Sequence, residues 1–146
     1  NATIHCIDPW KNISTQEYLQ TGDYLAHASN EDHEVNYQDY RNNCWFISSQ
    51  GRLREYRMDS VCASRQFENE SMDLVFLDGD HSFSGVSRDI EAWWPKVKPG
   101  AFLGGHDYDY DRLSFGVNEA VDNFAGRLGL SLELDGDYTW FIRKPS

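Results

Sequence analysis

The chain predicts a doubly wound α/β sheet, mostly parallel, that closes on a C-terminal antiparallel hairpin. Three observations carry this reading. Short apolar runs of strand length alternate with stretches of helical period. One run, Leu74-Val75-Phe76-Leu77, is continuously apolar between two aspartates, the pattern of a central parallel strand covered on both faces. Near the C-terminus two short runs flank Asp135-Gly136-Asp137, a hairpin signal.

Taken in order, Ile4 to Ile7 is a strand closed by the turn pair Asp8-Pro9. Residues 11 to 35 show no clean period and read as a loop with one helical turn around Tyr18-Leu19, a length often used for a lid. Tyr37, Tyr40, Cys44 and Ile47 recur at helical spacing and Gly51 stops the helix, which predicts about three turns. Leu53 to Met58 alternates as a strand does, and Asp59-Ser60 caps a short helix through Phe67. Asn69 to Met72 is a polar turn into the strand at Asp73–Asp78. Val86, Ile90, Trp93 or Trp94, and Val97 form an amphipathic helix ended by Pro99-Gly100. Ala101 to Leu103 is the next strand, running into Gly104-Gly105-His106-Asp107. Val117, Ala120, Val121, Phe124 and Leu128 make the last helix, with Gly129 as its cap, and Leu130–Leu134 and Thr139–Ile142 form the hairpin.

At 146 residues and 40% apolar content, the chain is read as one domain over 1–146. A formal charge of −11 works against a polyanionic partner, so nucleic acid is not expected, and no apolar run is long enough for a membrane span. Cys6, Cys44 and Cys62 form neither a disulfide framework nor a zinc knuckle, which fits a reducing, cytoplasmic setting. Sequons at Asn1, Asn12 and Asn69 are read as chance occurrences without a signal peptide. The five tryptophans are read as packing residues, except Trp10, which follows Asp8 closely enough to stack on a ligand or close its pocket.

Three strand ends carry carboxylates or imidazoles: Asp8, then Asp78-Gly79-Asp80-His81, then His106-Asp107-Tyr108. In a parallel sheet they share one edge, where α/β folds bind small molecules. Each alone also suits a turn.

The stretch DLVFLDGDHSFSGVSRDIEAWWPKVKPGAFLGGHDY, residues 73 to 108, resembles the fourth and fifth strand region of Rossmann-like class I S-adenosylmethionine-dependent methyltransferases, with likeness to the small-molecule O-methyltransferase, macrocin O-methyltransferase and cephalosporin hydroxylase groups. IHCIDPW, RMDS, GVNEAVDNF and DGDYTWFIRKP extend it over nearly the whole chain. The resemblance implies that S-adenosylmethionine is the cofactor, with Asp8 on its ribose, Asp59 and Ser60 at the adenine, and Trp10 and Asp78 beside it. Asp59-Ser60 equally suits a helix cap. It further implies a divalent metal, magnesium or manganese, on Asp78, His106 and Asp107. An imidazole favours manganese or iron, or else His106 is no ligand and acts as a base. The catalytic candidates are therefore Asp78, His106 and His81, and the reaction is methyl transfer to a hydroxyl of a small-molecule acceptor. Homo-oligomerisation is left open.

By the same resemblance, a first strand and glycine-rich turn should precede Ile4. Only three residues do, and there is no initiator Met, so the expectation is a domain cut at its N-terminus. Two other readings stay open: a non-catalytic binding or assembly module on the same fold, and a metal-dependent hydrolase using His81, His106, Asp78 and Asp107.

Overall fold

The computed structural model describes residues 2–146. Strand β1 (Ile4–Ile7) pairs in parallel with β2 (Leu53–Tyr56), in the register Ile4 to Leu53 through Ile7 to Tyr56. Strands β3 (Met72–Leu77), β4 (Val97–Gly105), β5 (Leu132–Asp135) and β6 (Thr139–Arg143) form a second sheet in the order β3-β4-β6-β5. β3 and β4 run parallel, and β6 runs antiparallel to both β4 and β5. The α/β class, the parallel pairing and the closing hairpin are as predicted.

Helices α4 (Phe83–Trp93) and α5 (Val117–Leu128) cover one face of the four-stranded sheet. Their apolar stripes (Val86, Ile90 and Trp93; Val117, Ala120, Val121 and Phe124) pack on Val75, Leu103, Trp140 and Ile142. α5 ends in a Schellman cap: Gly129 is left-handed at φ 63°, and the Leu130 amide donates to the Ala125 carbonyl at 2.9 Å.

Three expectations need correction. β3 is not covered on both faces. It is an outer strand, with Leu74 53% and Phe76 48% exposed on the side away from α4. The continuous apolar run marked a strand correctly, but run length alone does not report how many neighbours a strand has. Val97 opens β4 rather than ending a helix; α4 stops at Trp93, and Pro95 starts a 3-10 turn at Trp94–Lys96. Pro99-Gly100 then sits in a bulge inside β4, where Met72 pairs with Val97 but Leu74 with Phe102. The helix expected from Tyr37 begins earlier: α2 spans Asn30–Ser49, launched by a capping box in which Ser29 and Asp32 bond reciprocally. Its inward face is the predicted one, Tyr37, Tyr40, Cys44 and Ile47.

The segment before α2 is not a bare loop. It holds α1 (Gln16–Gln20), capped by Thr15, and a 3-10 turn at Tyr24–His27, capped by Asp23. α3 (Ser60–Ser64), capped by Asp59, is the short helix expected after β2. Among the described residues no helix is long and apolar enough to cross a membrane.

Candidate active site

A cleft of about 650 Å3 lies between the two sheets. His5 and Ile7 of β1 line one wall, and Leu74 to Leu77 of β3 the other. The C-terminal ends of the parallel strands open onto it: Asp8 after β1, Asp59-Ser60 after β2, and Asp78 to His81 after β3.

Asp8 Oδ1 accepts the Trp10 amide. Partial burial pushes the Asp8 carboxyl upward in pKa, against the Trp10 hydrogen bond and the nearby His33 and Arg57. Trp10 itself does not line the cleft. At positive φ (42°) and 6% exposure, it packs beneath α2 against Tyr37 and Tyr40, with ring centroids 4.8 and 5.0 Å away. Its place is in packing, not on a ligand. Asp59 caps α3, its Oδ1 accepting the Cys62 amide at 3.0 Å, and it also borders the cleft. Ser60 Oγ accepts Trp93 Nε1–H at 2.9 Å, which ties this part of the cleft wall to α4. Asp89 of α4 stands beside them, its carboxyl lifted by burial to about 6.

At the end of β3, Asp80 turns inward: Oδ1 accepts the Ser82 amide at 2.9 Å, and Ser82 caps α4. Gly85 must be glycine, because a Cβ there would lie 2.3 Å from Asp80 Cγ. The tight turn carries His81 into a cluster of acids. His81 Nδ1 lies 2.8 Å from Asp23 Oδ2, while Nε2 is 3.0 Å from Asp107 Oδ2 and 3.5 Å from Asp78 Oδ1. The His81 side chain is 13% exposed and Asp107 11%, whereas Asp78 at 56% opens to the cleft. Phe115 stacks on the imidazole at 4.4 Å. Burial alone would lower the His81 pKa, but the Asp23 and Asp78 carboxylates and the Asp107 charge outweigh it and raise it to about 9. Asp23 is held below the usual carboxylate range although burial opposes this, because His81, the Leu25 amide and the Tyr18 hydroxyl all donate to it.

The expected metal set was Asp78, His106 and Asp107. The atoms that converge belong instead to Asp78, His81 and Asp107, all within 4.8 Å of one another. His106 sits to one side, its Nδ1 3.3 Å from Asp107 Oδ2 and its ring against Tyr138. Asp107 takes a left-handed conformation at φ 63°, a strain that turns its carboxylate back toward His81. The donor set suits a divalent ion: two carboxylates and an imidazole whose buried Nε2 lacks an aligned hydrogen-bond partner. Tyr18, Asp23 and Phe115 carry no site role in the sequence pattern; they come from aperiodic segments, where the order expected was a helical turn around Tyr18-Leu19.

A family pattern described as a methyltransferase domain matches residues 1–108. The chain belongs to this methyltransferase family. Solved structures agree on the fold of the methyltransferase domain. The calicheamicin methyltransferase CalS11 superposes with a TM-score of 0.63 at 15% identity, over 97% of this chain and 60% of its own. A protein from Corynebacterium glutamicum gives 0.60 at 17% identity, over 99% and 61%. The O-methyltransferase NovP gives 0.59 at 13%, over 99% and 60%. The chain thus spans about 60% of the length of these structures. Over 50 residues, 34% of this chain and 6% of the other, it is 38% identical to an uncharacterized protein of Sinorhizobium fredii.

Proposed function

We propose that this methyltransferase domain binds S-adenosylmethionine in the cleft and transfers its methyl group to a hydroxyl oxygen of a small-molecule acceptor. The observation that carries the reading is the convergence of Asp8, Asp59-Ser60 and Asp78 on one cleft, at the strand ends where a nucleoside needs them. A carboxylate at Asp8 accepts from both ribose hydroxyls, and the α3 N-terminus beside Asp59-Ser60 offers the adenine edge backbone donors. That NovP is an O-methyltransferase and CalS11 a methyltransferase supports oxygen as the acceptor atom. Family membership favours this over a module without catalysis.

The cofactor supplies an activated methyl group, so the protein's task is alignment and charge. Asp78, at the cleft edge, would accept the acceptor's O–H hydrogen bond and take its proton as the methyl group passes from the sulfonium sulfur, left as a neutral thioether, to the oxygen. His81, fixed by Asp23 and Asp107, holds positive charge beside the nucleophile, and Phe115 stacked over it keeps water from the buried side. If a divalent ion took the place of the His81 Nε2 proton, held by Asp78, His81 and Asp107, it would supply the positive charge instead and lower the hydroxyl's pKa. His106 supports Asp107 in this scheme.

The same trio suits metal-activated water, which keeps hydrolysis as a second reading. Calorimetric titration with S-adenosylhomocysteine separates the two. Methyl transfer requires binding that Asp8→Ala abolishes, and hydrolysis predicts indifference to the ligand. Asp8→Asn keeps an acceptor for the Trp10 amide but loses one charged acceptor, so about 10- to 100-fold weaker binding is expected.

A further inference from the structure

Behind His81, Asp23 and Tyr18 hold the imidazole nitrogen that faces away from the cleft. Asp23 is 4% exposed, on a segment 58 residues away in sequence. Its Oδ1 accepts the Leu25 amide at 2.9 Å, and its Oδ2 accepts Tyr18 Oη–H at 2.9 Å as well as facing His81 Nδ1 at 2.8 Å. An ionised carboxylate only accepts, so the proton of this contact sits on Nδ1. Nε2 is the nitrogen turned toward Asp107 and Asp78, and its lone pair goes to a metal ion that displaces the second ring proton. Nε2 is buried and without an aligned hydrogen-bond partner. A histidine that offers one nitrogen to a site while a carboxylate holds the other is how proteins orient a metal ligand.

We infer that Asp23, backed by Tyr18, is the positioning residue of a divalent-metal site formed by Asp78, His81 and Asp107, and that this one-nitrogen, two-carboxylate set takes Mn2+ in preference to Mg2+. The inference rests on the reading of the cleft as a methyltransferase site, and it assigns the ligand nitrogen to His81 rather than to His106. Mg2+ prefers an all-oxygen shell and keeps its waters, whereas Mn2+ accepts imidazole and binds mixed sites more tightly. The device also links the segment carrying α1 to the site, because Ser114 donates to the Thr21 carbonyl at 3.1 Å and Gly116 to the His81 carbonyl at 2.9 Å.

Asp23→Asn is the discriminating change. With its oxygen kept on the Leu25 amide, the new NH2 group donates to His81 Nδ1, which must then accept. The ring proton moves to Nε2 and blocks the lone pair.

The test is Mn2+ and Mg2+ titration of the chain by calorimetry, with pulsed electron paramagnetic resonance of bound Mn2+ and circular dichroism as a check on folding. Expected are Mn2+ binding at least about tenfold tighter than Mg2+, a nitrogen modulation on the Mn2+ signal, and loss of that modulation in His81→Gln. Asp23→Asn should weaken Mn2+ by about 10- to 100-fold, Tyr18→Phe by less, and His106→Asn should keep the nitrogen signal. A folded Asp23→Asn variant with unchanged Mn2+ affinity, a nitrogen signal lost with His106 rather than His81, or no metal binding would overturn the inference. Its failure is separable from failure of the methyltransferase reading. Tight Mn2+ binding without any binding of S-adenosylhomocysteine refutes the reading alone, while S-adenosylhomocysteine binding without metal refutes the inference alone.

Discussion

Asp89→Asn should stabilise the protein at neutral pH and leave it unchanged in acid. Burial beside Ser60, with the charges of Asp59 and Asp80 nearby, holds the Asp89 carboxyl at about 6 instead of 3.8. At about 1.4 kcal/mol per pH unit, the ionised form is about 3 kcal/mol less favourable in the folded chain than in the unfolded one. The folded state binds this proton more tightly, so the group costs nothing below 3.8. Stability then falls as pH rises from 3.8 to about 6, and the full cost persists above that. An asparagine fills the same space without a charge. At pH 7 the variant is expected to gain up to about 3 kcal/mol, or roughly 6 to 12 °C in Tm for a domain of this size. Urea unfolding of both proteins between pH 4 and 8 measures it, with the two curves separating across pH 4 to 6. Parallel curves over that range, or a variant less stable at pH 7, would refute the argument that partial burial disfavours the ionised form of Asp89.

Two further expectations concern packing. Gly85→Ala forces a Cβ to within 2.3 Å of Asp80 Cγ and dislodges the carboxylate from the Ser82 amide, so a loss of about 1 to 3 kcal/mol should appear in the denaturation midpoint. An unchanged midpoint would mean that the turn before α4 is looser than its contacts indicate. Leu103→Ala, fully buried under α4 and α5, should cost about 2 to 5 kcal/mol, whereas Leu74→Ala, half exposed on the open side of β3, should cost less than about 1. Similar losses at both sites in thermal melts would show that the open face of β3 is covered in solution.

How much of this was legible in the sequence depends on how local each cause is. Helices α4 and α5 and the Asp135-Gly136-Asp137 hairpin were readable because periodicity, caps and turn residues lie within a few positions of one another. The start of α2 was missed because Asp32 completes its capping box where Glu or Gln is the usual signature. Val97 fits a helical stripe as well as a buried strand, and only its pairing with Met72 decides between them. Asp8, Asp78 and Asp107 could be placed at one sheet edge from strand ends alone, whereas Asp59 came from the family resemblance and equally suited a helix cap. The partner of His81 could not, since Asp23 reaches it through tertiary contacts from a segment with no periodic signal. The exchange of His106 for His81 has the same origin, because the left-handed turn at Asp107 and the inward tuck of Asp80 set which imidazole points at the acids.

A nucleoside of the S-adenosylmethionine type is proposed to occupy the cleft between the two sheets. Titration of nitrogen-15-labelled protein with S-adenosylhomocysteine, followed by two-dimensional NMR, tests it most directly. The account predicts saturable shifts at the amides of Asp8, Asp59, Ser60, Asp78 and Gly79, with the solvent face of α5 silent. A spectrum of folded protein that does not change, or shifts that map away from those strand ends, would contradict it.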